Sequence, residues 1–271
     1  MSVCVDKQPW RKSCIQPNCG QLNPANQNVY SVLHDIYLDI NDYMEKGEYF
    51  HMGGDEVFMP CWNQTEVIVT YMKEKNYERT TEGFLQLWSE FQEKALNQWD
   101  EVTDGKSSII LWSSELTLPE NVEQYLPKDR YIIQTWIPSD SKIPLELLKK
   151  GYRVIMSTKN AWYFDHGFWG ITKYYSWKTV YANMLPKSYL VLGGEACMWG
   201  VSLILNNEFK KINQIIFKEY LDEFSIEMKI FPRLNAVGER LWSNPPTDFK
   251  TVESRFNRQR ERVLAKGINS D

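Results

Sequence analysis

The chain has 271 residues, 43% of them apolar, with 31 basic and 35 acidic side chains and a net charge of −4. That length carries one large α/β domain or two small ones, and the near-balance of charge leaves no footprint for nucleic acid or an anionic membrane. No apolar run reaches the roughly 18 residues of a membrane span, and Met1 to Asp6 lack the apolar core of a signal peptide.

Residues 1–25 read as irregular chain, punctuated by Pro9, Pro17, Gly20 and Pro24. A helix is predicted from Asn26 to about Lys46, with Val29, Val32, Leu33, Ile36, Tyr37 and Ile40 on one face. Tyr49–Gly53 predicts a strand, followed by helices from about Thr65 to Lys75 and from Thr81 to about Asp100. Ser108–Ser113 is continuously apolar, as a buried parallel strand should be. Glu120–Leu126 predicts a short helix, Arg130–Trp136 a strand, Pro144–Lys150 a helix stopped by Gly151, and Arg153–Ser157 a strand. A long aromatic loop runs from Thr158 to about Lys187, before a strand at Tyr189–Gly194 and helices at Pro232–Leu241 and Phe249–Ala265. Five strands alternating with helices indicate βαβ units and a parallel sheet.

The first predicted strand runs into Gly53-Gly54-Asp55-Glu56. Two glycines let the backbone turn sharply or approach a ligand closely, and side chains alternate along extended chain, so the two carboxylates point apart. One can reach a bond being broken while the other reaches a neighbouring group. In parallel α/β barrels the active site lies at the carboxyl ends of the strands. Here those ends carry Trp112, Trp136, Trp162-Tyr163-Phe164-Asp165, and Glu195 with Trp199. Core strands favour Val, Ile and Leu, so tryptophans at successive strand tips predict an aromatic-walled pocket, suited to the C–H faces of a sugar. His51, within a strand, reads as a satisfied buried histidine. Three histidines (34, 51 and 166) without ligand spacing give no metal site, and no cofactor is expected.

Cys4, Cys14, Cys19 and Cys61 cluster in the first quarter, beside the sequon Asn63-Gln64-Thr65. Together they point to an oxidising, secretory environment and to glycosylation at Asn63. Four cysteines allow three pairings; Cys14–Cys19 is the first candidate, and Cys197 reads as a buried thiol.

As an ordered set, His-Met-Gly-Gly-Asp-Glu (51–56), Ile-Leu-Trp (110–112), Ile-Gln-Thr-Trp (133–136), Trp-Tyr-Phe-Asp (162–165), Gly-Gly-Glu-Ala-Cys-Met-Trp-Gly (193–200) and Gly-Glu-Arg-Leu-Trp-Ser (238–243) resemble the β-N-acetylhexosaminidases of glycoside hydrolase family 20. Asp-His-Gly-Phe-Trp-Gly (165–170) and Tyr-Tyr-Ser-Trp (174–177) resemble the insect fused-lobes type within that family. The resemblance implies an α/β fold made of about the last five strands of a (β/α)8 TIM barrel, without the family's accessory domain and first barrel strands. It implies removal of terminal β-linked N-acetylhexosamine from glycans by a retaining, substrate-assisted mechanism. Glu56 would be the general acid, kept protonated by burial against aromatics, and Asp55 the charged partner of the 2-acetamido group. Trp112, Trp136 and Trp199 would surround the acetamido group and ring, Tyr163 would bond its carbonyl, and Asp165 would face a sugar hydroxyl. A full-length protein in the secretory pathway, membrane-associated or extracellular, and a homodimer are further implications.

Three departures qualify the resemblance. The family's first strands, with a sugar-binding arginine, would precede residue 1, so the 271 residues alone are expected to be inactive, leaving a non-catalytic sugar-binding remnant or a truncated gene product as the alternative. Its Trp-Gly-Glu-Tyr-x-Asp motif is split: Trp199-Gly200 is separated from Glu219-Tyr220-Leu221-Asp222 by residues 201–218, which read either as translated intron or as a genuine insertion. Glu219 is then the displaced ligand of the outer hydroxyls. Ile15 and Gln16 fall in a segment bordering the next sugar position, where many relatives carry an acidic residue. A Trp-bearing insertion typical of chitin-degrading relatives is absent after Trp169, which points toward glycan branches.

Overall fold

The computed structural model describes residues 1–43, 49–103, 105, 107–168, 172–199 and 223–270. The inserted stretch 201–218 and Glu219 lie outside the described residues. The chain divides into two units, Met1–Gln134 with Glu146–Arg153, and Thr135–Leu145 with Val154–Asp271.

The first unit opens with β1 (Ser2–Val3) paired antiparallel with β2 (Gln21–Leu22). Then follow α1 (Gln27–Tyr43), β3 (Tyr49–His51), α2 (Met59–Asn63), α3 (Glu66–Glu74), α4 (Thr81–Thr103), β4 (Ser108–Trp112), α5 (Val122–Tyr125) and β5 (Tyr131–Thr135). β3 pairs parallel with β4, Phe50 opposite Ile109, and β4 pairs parallel with β5. β5 is buried throughout, so its sequence shows no alternation, and its polar members Gln134 and Thr135 are buried with the rest. The α1 and α4 helices pack together. Phe50 lies stacked on Trp99 at 3.8 Å between ring centres, and the Tyr37 ring meets both edge-on. A disulfide joins Cys4 to Cys61 across 57 residues, a closure that stabilises by about 4 kcal/mol through chain entropy. Cys14–Cys19 is the second bridge, the pair expected from sequence, and Cys197 is a free buried thiol.

After β5 come α6 (Ile143–Lys149) and the elements of the second unit: β6 (Arg153–Met156), α7 (Lys159–Trp162), α8 (Trp177–Ala182), β7 (Val191–Gly194), α9 (Glu223–Ile230), α10 (Arg233–Ser243) and α11 (Phe249–Ala265). β6 and β7 are parallel. The strand order is β3-β4-β5-β6-β7. This is an α/β fold of five strands from a (β/α)8 barrel, the class expected. The core of the second unit gathers Trp162, Phe164, Val180, Tyr181, Val237 and Phe256, with Trp177 stacked on Phe256 at 4.4 Å. Gly194 is required there: a Cβ would stand 2.3 Å from the Trp162 ring and 2.5 Å from the Met156 carbonyl.

Several elements differ from expectation. The strand predicted to Gly53 stops at His51, because Gly53 and Gly54 take φ of 68° and 78°. The stretch expected as loop from Thr158 holds two short helices, α7 and α8, too short to show a period of 3.6 residues. The α2 helix was not expected; it carries Pro60 in its first turn, where the ring replaces an N–H that has no partner anyway.

Candidate active site

In the first unit the site is built on the turn after β3. Its backbone is held from β4: Met52 N–H donates to the Ile110 carbonyl at 3.0 Å, and Trp112 N–H to the Gly53 carbonyl at 2.9 Å. The His51 ring closes the turn from the other side, Nδ1 accepting from Gly53 N–H at 2.9 Å. That bond fixes the neutral tautomer with its proton on Nε2, which donates to Gln134 Oε1 at 3.1 Å. Trp112, half-buried at the tip of β4, tilts against the same imidazole with ring centres 4.9 Å apart. His51 is therefore satisfied, as its sequence context implied, but half-buried rather than buried, and it meets both the turn and the indole.

Asp55 is half-buried and Glu56 exposed. Glu56 sits at φ 54°, the left-handed region that non-glycine residues rarely enter. The burial expected for Glu56 is not seen in this chain, although both carboxylates border the same aromatic-lined cavity. Burial acts on Asp55, raising its carboxyl above the ordinary value, with its own backbone N–H pulling the other way. Asp55 borders a cavity of ≈ 240 Å3 lined in part by Leu33, Tyr37, Trp62, Trp88 and Phe91. Opposite Glu56, Gln16 Nε2 stands 3.5 Å from each carboxylate oxygen. Gln16 and Ile15 are exposed on the loop closed by Cys14–Cys19. Gln21 holds the segment after Glu56, its amide exchanging bonds with Phe58 N–H (3.0 Å) and the Phe58 carbonyl (3.3 Å) as a strand would. Asn63 lies exposed at the end of α2, Oδ1 accepting from Arg79 Nε at 2.5 Å.

In the second unit Trp136 follows β5, half-buried, with Lys159 Nζ 4.6 Å above its ring. Tyr163 and Asp165 are buried, while Trp199 is 48% exposed. An isolated parallel bridge joins Tyr163 to Cys197, with Cys197 N–H donating to the Trp162 carbonyl at 2.8 Å and Phe164 N–H to the Cys197 carbonyl at 2.7 Å. Burial raises the Tyr163 hydroxyl well above its usual range, and its bonding to the Trp199 indole opposes this. Burial also pushes the Cys197 thiol up to about 11, against bonds from Ser157 and Tyr163, so it stays protonated at neutral pH.

Two supporting residues escaped the sequence reading. Gln134, wholly buried, is the partner of His51; its signal was a polar residue inside an apolar strand. Arg233, also wholly buried, donates through Nη2 to the Phe164 carbonyl at 2.7 Å, between Tyr163 and Asp165. Its signal was an arginine at the helical spacing of the buried Ala236, Val237 and Arg240.

With the turn, the carboxylates and the strand tips in place, comparison with known proteins is decisive: residues 1–245 match the catalytic domain of glycosyl hydrolase family 20. The chain belongs to glycosyl hydrolase family 20. It is 36% identical over its whole length to a chitooligosaccharidolytic β-N-acetylglucosaminidase of Ostrinia furnacalis, and 30% identical over its whole length to the probable β-hexosaminidase fdl of Drosophila melanogaster. It spans 45% and 39% of those two proteins. Among solved structures, the family 20 exo-β-N-acetylglucosaminidase of Vibrio harveyi in complex with N-acetylglucosamine aligns at a TM-score of 0.71 and 18% identity, covering 92% of this chain and 37% of that one. That likeness is one of fold.

Proposed function

We propose that these residues form part of an enzyme that removes terminal, non-reducing β-linked N-acetylhexosamine from glycans. The observation that carries the reading is the Gly53-Gly54-Asp55-Glu56 turn at the carboxyl end of a parallel strand, in a chain whose family match runs from residue 1 to 245. Glu56 gives its proton to the glycosidic oxygen while the substrate's 2-acetamido carbonyl oxygen bonds to C1 and the C1–O bond breaks. The aglycone leaves as an alcohol, and an oxazolinium-type intermediate remains. Asp55 accepts the acetamido N–H and faces the positive charge that develops there. Water then bonds to C1 as the bond from C1 to the acetamido oxygen breaks and the acetamide is restored, and the water gives its proton to the Glu56 carboxylate; two displacements at C1 retain its configuration. Trp112, Trp136 and Trp199 are proposed to contact the ring and acetamido group, Tyr163 its carbonyl, Asp165 and Glu219 sugar hydroxyls, and Ile15 and Gln16 the aglycone.

The activity is proposed to need a protein of the relatives' length, since this chain spans under half of the first two of them and Glu56 is exposed. Two disulfides and an exposed Asn63 in a sequon support secretory maturation with glycosylation at that site.

The test is hydrolysis of 4-nitrophenyl N-acetyl-β-glucosaminide, with the first-formed anomer followed by NMR. The β anomer is expected, with Glu56→Gln lowering kcat by about a hundredfold to ten-thousandfold on substrates with poor leaving groups. First release of the α anomer would overturn the mechanism. Chitooligosaccharides and N-glycans, compared as substrates, separate the two activities that the relatives' names suggest. The exposure of Glu56 favours a second reading for the 271 residues alone, a sugar-binding remnant without turnover. Tryptophan fluorescence titrated with the thiazoline analogue tests it: binding without hydrolysis is its signature.

A further inference from the structure

The Gln16–Glu56 approach is symmetric: one amide nitrogen lies 3.5 Å from both carboxylate oxygens. Gln16 is carried on a loop whose ends are only five residues apart and are joined by Cys14–Cys19. The loop is tied to the rest of the unit as well. Cys14 N–H donates to the Trp10 carbonyl at 2.9 Å, Asp6 N–H to the Cys19 carbonyl at 3.1 Å, and Gln64 Nε2 to Ser13 Oγ at 3.3 Å. A long, exposed side chain is thus presented to Glu56 from a braced backbone.

A primary amide has a property no charged side chain shares. Its NH2 end donates to a carboxylate, and its carbonyl end accepts from a carboxylic acid. The terminal torsion of glutamine is broad and roughly two-fold, so half a turn exchanges the two ends at little energetic cost. An acid/base catalyst alternates between just those two states, losing its proton to the leaving group and regaining it from water. A glutamate at position 16 could only accept and would add like charge; an arginine or lysine could only donate.

We propose that Gln16 is a positioning residue for Glu56 that follows both of its protonation states, and that the Cys14–Cys19 bridge holds it there. The proposal rests on Glu56 being the proton donor. When Glu56 is a carboxylate the NH2 of Gln16 steadies it, through the 3.5 Å approach to both oxygens. When Glu56 is protonated the Gln16 carbonyl takes that contact and holds the carboxyl plane until the glycosidic oxygen replaces it as acceptor.

Two variants test this with readouts that a merely structural role would not move. Gln16→Leu keeps bulk but removes both ends of the amide. It is expected to lower kcat/KM about tenfold for a phenyl leaving group, which needs a proton, with a loss that shrinks along a series of substituted phenyl leaving groups toward 2,4-dinitrophenyl, whereas loss of an aglycone contact alone would lower the whole series alike. Gln16→Glu is expected to move the basic limb of the kcat/KM profile up by on the order of one pH unit through like-charge repulsion. Cys14→Ser with Cys19→Ser should reproduce the Gln16→Leu pattern. An equal loss across the phenyl series, or no loss in it, overturns the proposal. Carbon-13 NMR titration of the Glu56 carboxyl, assigned against Glu56→Gln in this chain, gives a reading independent of turnover. An upward midpoint in Gln16→Glu supports the contact, and an unchanged one overturns it even where no hydrolysis is found. Absence of hydrolysis by a protein of the relatives' length, together with a moved midpoint, would count against the hexosaminidase reading alone.

Discussion

His51 accepts the backbone N–H of Gly53 through Nδ1 at 2.9 Å, one turn before the paired carboxylates. The bond needs an unprotonated Nδ1, and the opposite nitrogen is committed to Gln134. Imidazole thus shapes the turn from which Asp55 and Glu56 emerge and sets the tilt of Trp112. His51→Phe keeps the ring and loses both bonds, leaving the buried Gln134 amide without this partner. It is expected to destabilise by about 2 kcal/mol and to lower kcat more than KM is raised. Equal thermal stability of His51→Phe and wild type would remove His51 from this role.

Asp55 gives a prediction about pH. A carboxyl whose folded value is raised binds its proton more tightly when folded. Its contribution to stability is therefore full below the ordinary value of 3.8 and is lost as pH rises through the folded value. At neutral pH the charged, half-buried Asp55 opposes folding. Asp55→Asn is expected to melt above wild type at about pH 7, with the gap closing at about pH 3, where both side chains are neutral. Melting curves across that range decide it; a wild type as stable as the variant at neutral pH contradicts it. Function then holds a charge in place against stability.

Glu90 carries the opposite sign. Burial pushes its carboxyl up, but Lys94 at 2.8 Å and the hydroxyls of Tyr71 (2.5 Å) and Tyr77 (3.0 Å) outweigh that, and it falls from 4.5 to about 2. Its contribution is present above the unfolded value and is lost as pH falls through the folded one. Glu90→Gln is expected to lose roughly 2 kcal/mol at neutral pH, and the difference from wild type should vanish near the acid end of the folded titration. Urea unfolding at several pH values measures both. A gap independent of pH would mean that packing, rather than charge, is what the substitution removes.

The strands were legible because their chemistry is repetitive. Tyr131–Thr135 is a largely apolar run buried along its whole length, as expected of a strand covered on both faces, while Ser108–Trp112 is an apolar run whose burial alternates. The Asp55-Glu56 pair was legible because two glycines before adjacent acids form a rare local signal. Which of the two would be buried was not. The answer lies in a positive φ at Glu56, a backbone state that the residue type argues against. Gln134 and Arg233 were missed for a shared reason. Each is a polar residue on a buried face, and its partner lies 83 and 69 residues away in the chain. Local pattern marks such residues as anomalies without naming what they hold.

Arg233 can be tested on that point. Its guanidinium is wholly buried, donates to the carbonyls of Phe164 (2.7 Å) and Lys229 (2.9 Å through Nε), and lies 4.4 Å from the Phe164 ring centre. A buried cation held by carbonyls and aromatic faces offsets its desolvation only when those partners stay in place. Arg233→Met keeps the aliphatic stem and takes the donors from the Phe164 and Lys229 carbonyls. It is expected to destabilise by about 3 kcal/mol and to raise hydrogen exchange at amides 163–166 before it does so in α11. Arg233→Lys, with one ammonium in place of a planar fork, should fall between the two. Because Phe164 lies between Tyr163 and Asp165, loosening here is predicted to raise KM for N-acetylated sugars while the intrinsic reactivity of Glu56 is unchanged. If exchange at 163–166 stays at the wild-type rate in Arg233→Met, the arginine is packing for α10 and has no part in holding the proposed sugar contacts.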